Sequence, residues 1–104
     1  MCAGALFTTT GSCVIAGRCI ASFNHGSGNY DNYENCAITF KQGGEVRFDS
    51  FDTERSYDIL TIDGTPYSGS TAPAGVTVQE STSATWRSDG SDTQAGWRMC
   101  MAGT

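Results

Sequence analysis

Carboxylate side chains cluster in the part of this sequence between residues 49 and 92. They form three groups, which are Asp49, Asp52 and Glu54, then Asp58, and then Asp89 and Asp92. A hard cation such as Ca²⁺ takes about six to eight oxygen ligands, and carboxylates also neutralise its charge. If the fold brings these groups together, a divalent cation would offset their mutual repulsion. The alternative interpretation is a set of solvated turn residues, because aspartate is common in turns.

Cysteine is the second residue type that could do chemistry here. The chain has 5 cysteines in 104 residues, and no pair has the Cys-x-x-Cys spacing of common zinc sites. Such a density is typical of small domains from oxidising compartments, where disulfides supplement a small core. We therefore expect an extracellular or secreted protein with two intrachain disulfides among Cys13, Cys19, Cys36 and Cys100, and with Cys2 left over.

The sequence does not supply a recognisable set of catalytic residues. His25 is the only histidine, and it lies in a segment rich in glycine and asparagine. No serine stands in the Gly-x-Ser-x-Gly motif that exposes a hydrolase nucleophile. Acyl transfer would also need an orienting acid and an oxyanion hole. We therefore expect His25 to be a solvated loop residue and the protein not to be an enzyme.

Composition excludes several other classes of function. The chain has 6 Lys and Arg residues against 11 Asp and Glu residues, which gives a formal net charge of −5. Nucleic acids and anionic membrane surfaces attract basic proteins, so neither is an expected partner. Apolar runs are too short to cross a bilayer, so membrane insertion is not expected. A chain of 104 residues has the size of one domain.

The elements that would position the acidic groups are short strands. Strand-like patterns occupy residues 36–40, 46–51, 57–62, 76–78, 83–87 and 96–101. Turn sequences such as Asp63-Gly64 and Ser88-Asp89-Gly90 separate them, and no segment has the 3.6-residue period of an amphipathic helix. The pattern predicts an all-β fold, a jelly-roll β-sandwich of two antiparallel sheets.

Two further predictions concern how the chain is organised around these strands. Residues 41–44 form a short glycine-containing loop, which predicts a hairpin between the first two strands. Residues 1–12 are small and rich in threonine and have no periodicity, so they predict an N-terminal arm. The domain would then extend over residues 13–104.

Several of these segments resemble the CUB domain, a family of extracellular β-sandwich modules. In chain order they are Ile20-Ala21-Ser22, Tyr30, Cys36, Phe51-Asp52-Thr53-Glu54, Tyr57-Asp58-Ile59-Leu60-Thr61-Ile62-Asp63-Gly64, Trp86-Arg87-Ser88-Asp89 and Gly96-Trp97. The resemblance extends over nearly the whole chain from about Cys13 to Cys100. It implies a CUB-like jelly roll.

The cysteines match the CUB pattern in part. Cys36 matches the second cysteine of the family, which implies a disulfide to Cys13 or Cys19, and Cys13 fits the spacing of the family better. Arg55 stands where many CUB domains have a third cysteine. The resemblance therefore implies that the second disulfide of the family is absent or replaced.

The resemblance to calcium-binding CUB domains implies a set of metal ligands. The matching positions are Glu54, Asp58, Asp89, Ser91 and Asp92, with Tyr30 as a supporting residue. Glu54 matches the glutamate before the family's Tyr-Asp pair, and Asp58 matches the aspartate of that pair. Asp89 matches the aspartate of a Ser-Asp turn, and Tyr30 matches a tyrosine that orients the glutamate. Ca²⁺ is therefore the expected cofactor.

Two functions from different classes remain. The first is a non-catalytic interaction module whose calcium-ordered loops contact a protein or a glycan, with Tyr30, Tyr33 and Tyr67 as contact residues. Trp86 and Trp97 lie in strand patterns and are expected in the core. The alternative is a structural subunit of an extracellular filament or coat, whose partners are copies of itself. Its N-terminal arm would add a strand to the sheet of the next copy.

Overall fold

The structure of the chain, a computed structural model, describes residues 6–102. In chain order its strands are β1 (Phe7–Gly11), β2 (Val14–Ala16), β3 (Cys19–Ala21), β4 (Asn35–Phe40), β5 (Gly44–Asp52), β6 (Ile59–Ile62), β7 (Thr65–Tyr67), β8 (Val76–Val78), β9 (Ser83–Arg87) and β10 (Gly96–Met101). They form two five-stranded antiparallel sheets, in the orders β1-β4-β9-β6-β7 and β2-β3-β10-β5-β8. The predicted all-β sandwich is confirmed. Within the described range there is no helix that could cross a membrane.

The core lies between the two sheets and is built by alternate residues of each strand. In β4 the side chains of Cys36, Ile38 and Phe40 point inward, while the residues between them remain more accessible. Trp86 of β9 and Trp97 of β10 are fully buried, and their rings meet edge to face with centroids 5.9 Å apart. The expectation that both tryptophans are core residues is confirmed. They join the two sheets near the end where the acidic loops lie.

Two intrachain disulfides hold the sandwich together, as the sequence predicted. Cys13 is bonded to Cys36, and Cys19 is bonded to Cys100. The first bridge connects the start of β2 to β4 in the opposite sheet, and the second joins neighbouring strands β3 and β10. Cys2 lies outside the described residues.

The prediction of an N-terminal arm is wrong for residues 7–11. These residues form β1, which pairs antiparallel with β4 from Phe7 opposite Phe40 to Gly11 opposite Cys36. Phe7 is buried and its ring packs edge to face against Phe40. A run of threonines has no apolar alternation, but threonine suits an edge strand whose inner side needs only one large apolar residue. The domain therefore begins before residue 13.

The predicted hairpin at residues 41–44 is also wrong. β4 pairs with β1 and β9, whereas β5 lies in the other sheet and pairs with β8 and β10. The loop therefore arches from one sheet to the other. A hairpin within one sheet and an arch between two sheets both place the alternate apolar residues of β4 and β5 in the same core. The sequence pattern alone therefore does not distinguish the two connections. By contrast, Asp63 and Gly64 do form a hairpin turn between β6 and β7, with positive φ at both residues.

Three loops meet at one end of the sandwich. They connect β3 to β4, β5 to β6 and β9 to β10. Main-chain hydrogen bonds join the first loop to the third, from Tyr30 N to the Gln94 carbonyl, from Tyr33 N to the Asp89 carbonyl and from Ser88 N to the Glu34 carbonyl. The second loop joins them through Glu54 N, which donates to Tyr30 Oη. The acidic residues, which are far apart in sequence, therefore lie together on these three loops, which we call the platform.

Candidate metal centre

Three of the predicted ligands converge at this end of the sandwich. One carboxylate oxygen from each of Glu54, Asp58 and Asp89 lies within 4.8 Å of the others. Glu54 and Asp58 come from the β5–β6 loop, where Asp58 N donates to the Glu54 carbonyl in a tight turn. Asp89 comes from the β9–β10 loop. The spacing of the three oxygens suits a single cation placed between them.

Asp58 is the fixed member of the cluster. It is fully buried, and each of its oxygens accepts one hydrogen bond. Tyr30 Oη donates to Asp58 Oδ2 over 2.6 Å, and Asp89 N donates to Asp58 Oδ1 over 2.9 Å. Charge-assisted bonds of this kind hold a carboxylate in one orientation. Asp58 therefore also fixes the main chain of the loop that carries Asp89.

Glu54 is the member of the cluster with unsatisfied hydrogen-bonding capacity. Its Oε1 atom is buried and has no hydrogen-bond partner, although native structures rarely leave such an atom without one. Burial, a hydrogen bond between the Glu54 and Asp92 carboxyl groups and the negative charges of Asp89 and Asp58 raise the pKa of Glu54 to about 7. A cation beside this carboxylate would give Oε1 a partner and lower the pKa of Glu54, because it favours the ionised form.

The pKa values of the neighbouring groups show the same electrostatic conflict. Burial raises the pKa of Asp58, and the negative charge of Asp89 adds to it, while hydrogen bonds from Tyr30 and from Asp89 N act in the opposite direction. Burial, followed by the hydrogen bond to Asp58, raises the pKa of Tyr30 well above its ordinary value. Tyr30 therefore stays protonated and acts as a donor.

The other residues predicted for the site have different roles. Asp92 approaches the Glu54 carboxyl group, and Ser91 contributes its main-chain N–H, which donates to Asp89 Oδ1 over 3.2 Å. Tyr30 was expected to orient the glutamate, but its hydroxyl accepts from Glu54 N and donates to the Asp58 carboxylate. It supports the site chiefly through Asp58.

Two acids of the first sequence group lie apart from this cluster. Asp49 is on the outer surface of the second sheet, where it pairs with Arg98. Asp52 is the last residue of β5, opposite Gly96, and is not a member of the cluster among the described residues. Asp49 and Asp52 lie within β5, where successive side chains point to opposite faces of the sheet, whereas Glu54 lies beyond the strand in the loop.

One of the three tyrosines expected at a contact surface is buried. Tyr30 is 1% exposed, so it supports the site from within and is not a contact residue. Tyr67 is half-buried in β7. Tyr33 is exposed beside the Asp89 loop, and Tyr57, which the sequence analysis did not select, is exposed between Glu54 and Asp58. The accessible aromatic groups nearest the cluster are therefore Tyr33 and Tyr57.

Glu34 and Ser88 hold the platform together, and sequence reasoning missed both. Glu34 is buried and accepts from Ser12 Oγ, Asp31 N and Trp86 Nε1. Ser88 Oγ accepts from Glu34 N and donates to the Asp31 carbonyl. Apart from Asp31 N, which is three residues from Glu34, the partners lie 22 to 57 residues away, and the local sequence does not indicate them.

His25 is not the solvated loop residue that we expected. It is half-buried, and its Nε2 atom lies 2.6 Å from Ser50 Oγ on β5. The contact ties the loop after β3 to the second sheet. The partner serine lies 25 residues further along the chain, and local sequence gives no indication of it.

The raised pKa of Glu54 predicts how the stability of the metal-free protein depends on pH. Because the folded state holds this proton more tightly than the unfolded state, where the pKa is 4.5, its contribution is fully present below about pH 4.5. That contribution should be lost as pH rises through about 7. Denaturant unfolding in chelator across about pH 4 to 8 measures this trend.

Two comparisons accompany that measurement. Saturating calcium should flatten the fall in stability, because the cation replaces the proton between the carboxylates. Glu54→Gln should remove most of the fall in chelator, because glutamine does not titrate. A stability that rises steadily over the same range in chelator would contradict this account of the cluster.

The donor set as a whole fits a hard cation. Among the described residues it consists of the carboxylate oxygens of Glu54, Asp58 and Asp89, with no sulfur or imidazole ligand. Calcium and magnesium prefer such ligands, and the irregular loop geometry suits the flexible coordination of calcium better.

Comparisons with protein-family models, with curated proteins and with solved structures find no match to this chain.

Proposed function

We propose that this chain is a non-catalytic extracellular interaction module of CUB type that binds Ca²⁺ through Glu54, Asp58 and Asp89. The observation that carries the proposal is the convergence of these three carboxylates within 4.8 Å, together with the buried Glu54 Oε1, which has no hydrogen-bond partner. Asp92, Ser91 and Tyr30 would complete or support the site. The calcium-ordered loops would then present the contact surface to a protein or a glycan.

Electrostatics support a bound cation. Among the described residues the ion pairs are Arg47 with Glu45 and Arg98 with Asp49, and neither involves the cluster. Within the described range, no lysine, arginine or histidine therefore forms an ion pair with these three carboxylates, which lie partly or fully buried. Like charges at this distance raise one another's pKa and destabilise the ionised state, so an external cation is the natural counter-charge at neutral pH.

The rest of the molecule is consistent with an interaction module outside the cell. The two disulfides fit an oxidising compartment. Tyr57 is 61% exposed next to the cluster, where an aromatic side chain can contact a partner at low entropic cost. Assembly into a filament through residues 1–12 has less support, since β1 already pairs with β4 of its own chain.

Isothermal titration of Ca²⁺ into the chelator-treated protein tests the proposal. We expect one calcium ion per chain for the wild type. Glu54→Gln should weaken binding by at least about tenfold, because it removes one charged ligand oxygen. Glu80→Gln is the matched control, since Glu80 lies exposed in the loop between β8 and β9.

The control variant should bind calcium like the wild type. A wild-type protein that releases no heat and shows no saturable binding at millimolar calcium would end the proposal. Equal weakening by both variants would also count against it, because the effect would then follow net charge rather than this site.

A further inference from the structure

An acidic groove with apolar walls lies next to the candidate metal centre but does not share its carboxylates. The groove has a volume of about 720 Å³, and its lining includes Val14, Phe23, Asp31, Tyr33 and Glu34. It opens between the start of β2 and the loop that joins β3 to β4. The three carboxylates of the cluster are not among its lining residues.

The apolar side chains of this groove are unusually accessible. Within residues 6–102 the exposed large apolar side chains are Val14, Ile15, Phe23, Tyr33 and Tyr57. Three of them, Val14 at 49%, Phe23 at 42% and Tyr33 at 80%, line this one groove. Scattered exposed apolar residues need no explanation, but a cluster on one concave surface is typical of a binding site.

The groove also carries negative charge without a counter-charge. Asp31 is exposed at its rim, and the buried carboxylate of Glu34 accepts from a hydroxyl, an amide and an indole, none of which is cationic. None of the described residues that line the groove is a lysine, arginine or histidine. A concave surface with one sign of charge attracts the opposite charge.

The main chain at the rim of the groove suits an extended ligand. Val14 belongs to β2, which ends the second sheet, and its only strand partner in the described region is β3. An edge strand offers N–H and C=O groups to an added strand, whose alternate side chains then point to one side. A second copy of this chain is a poor occupant, because both copies carry a net charge of −5.

From these features we infer that the groove binds an extended peptide segment that carries both basic and apolar side chains on the side facing the groove. The apolar side chains would pack against Val14, Phe23 and Tyr33, and a basic one would pair with the exposed Asp31. The inference does not depend on the proposed calcium site. The two surfaces do touch, because Tyr33 N donates to the Asp89 carbonyl and Gly90 lies directly against the Tyr33 hydroxyl.

The test uses a blocked hexapeptide in which a pair of arginines stands between two pairs of leucines, so that each side of the extended chain carries both types. It is titrated into isotopically labelled protein and followed by amide chemical shifts. Shifts should centre on residues 12–14, 23 and 31–35, with calcium and with chelator alike. The same peptide with glutamate in place of arginine should produce none of them. Phe23→Ser and Asp31→Asn should each weaken binding about tenfold, whereas Glu80→Gln, which neutralises an exposed acid outside the groove, should not.

Several results would overturn the inference. These are an absence of binding at millimolar peptide, equal binding of the glutamate peptide, and equal weakening by Glu80→Gln. Shifts confined to residues 54–58 and 88–92 would also overturn it, and they would leave the proposed calcium site standing. Conversely, chemical-shift changes at the groove residues in a protein that binds no calcium would support peptide binding by the groove and not the proposed calcium site.

Discussion

Joint replacement of Cys19 and Cys100 by alanine should lower the free energy of unfolding by about 4.5 kcal/mol in the chain-entropy account of disulfides. The two residues are 81 positions apart, so their bond closes most of the chain into one loop and restricts the unfolded ensemble strongly. A domain of this size has a total stability of about 5 to 15 kcal/mol. Urea unfolding monitored through the buried Trp86 and Trp97 measures the loss.

The comparison variant for this experiment is Cys2→Ala. Cys2 belongs to neither bridge, so the substitution should leave the urea midpoint unchanged. A loss below about 1 kcal/mol for the double variant would contradict the role assigned to the second bridge.

Calcium should raise the melting temperature on the order of ten degrees, and a chelator should reverse the change. At free calcium about a hundred times the dissociation constant, linkage gives about 2.7 kcal/mol of stabilisation. In a domain of about 100 residues each kcal/mol shifts the melting temperature by several degrees. Calorimetry with millimolar calcium and with excess chelator measures the difference.

Two aspartate variants make this result specific to the cluster. Asp89→Ala removes one of the three converging carboxylates and should abolish most of the calcium response. Asp63→Ala changes an exposed turn residue between β6 and β7 and should keep it. Identical melting curves with calcium and with chelator would mean that the acids are solvated turn residues.

The fold could be predicted from the sequence to the level of architecture but not of strand pairing. Alternation in 36–40 and 83–87 correctly predicts strands with one buried face, because period-two patterns report on burial directly. The burial pattern of a strand does not show which strands are its hydrogen-bonded neighbours in the sheet. This is why β4 and β5 were paired incorrectly, and why β1, which buries Phe7 but otherwise consists of threonine and glycine, was missed.

The candidate site was predictable in its acids and not in its supporting residues. Glu54, Asp58 and Asp89 were identified by residue type and by the resemblance to calcium-binding CUB domains, and the fold brings them together. The roles of Glu34 and Ser88 depend on hydrogen bonds across as many as 57 residues, which only the tertiary structure shows. The acidic residues of the site can be recognised from their residue type, whereas the residues that hold the loops in place can be recognised only from their positions in the fold.

The most direct test of the calcium-binding claim is a crystal structure of the protein grown with calcium and analysed by anomalous scattering. We predict one anomalous peak per chain, about 2.3 to 2.6 Å from carboxylate oxygens of Glu54, Asp58 and Asp89. Glu54 Oε1, which has no partner in the described structure, should be among the ligands. A map at saturating calcium with no peak between these three residues would contradict the account.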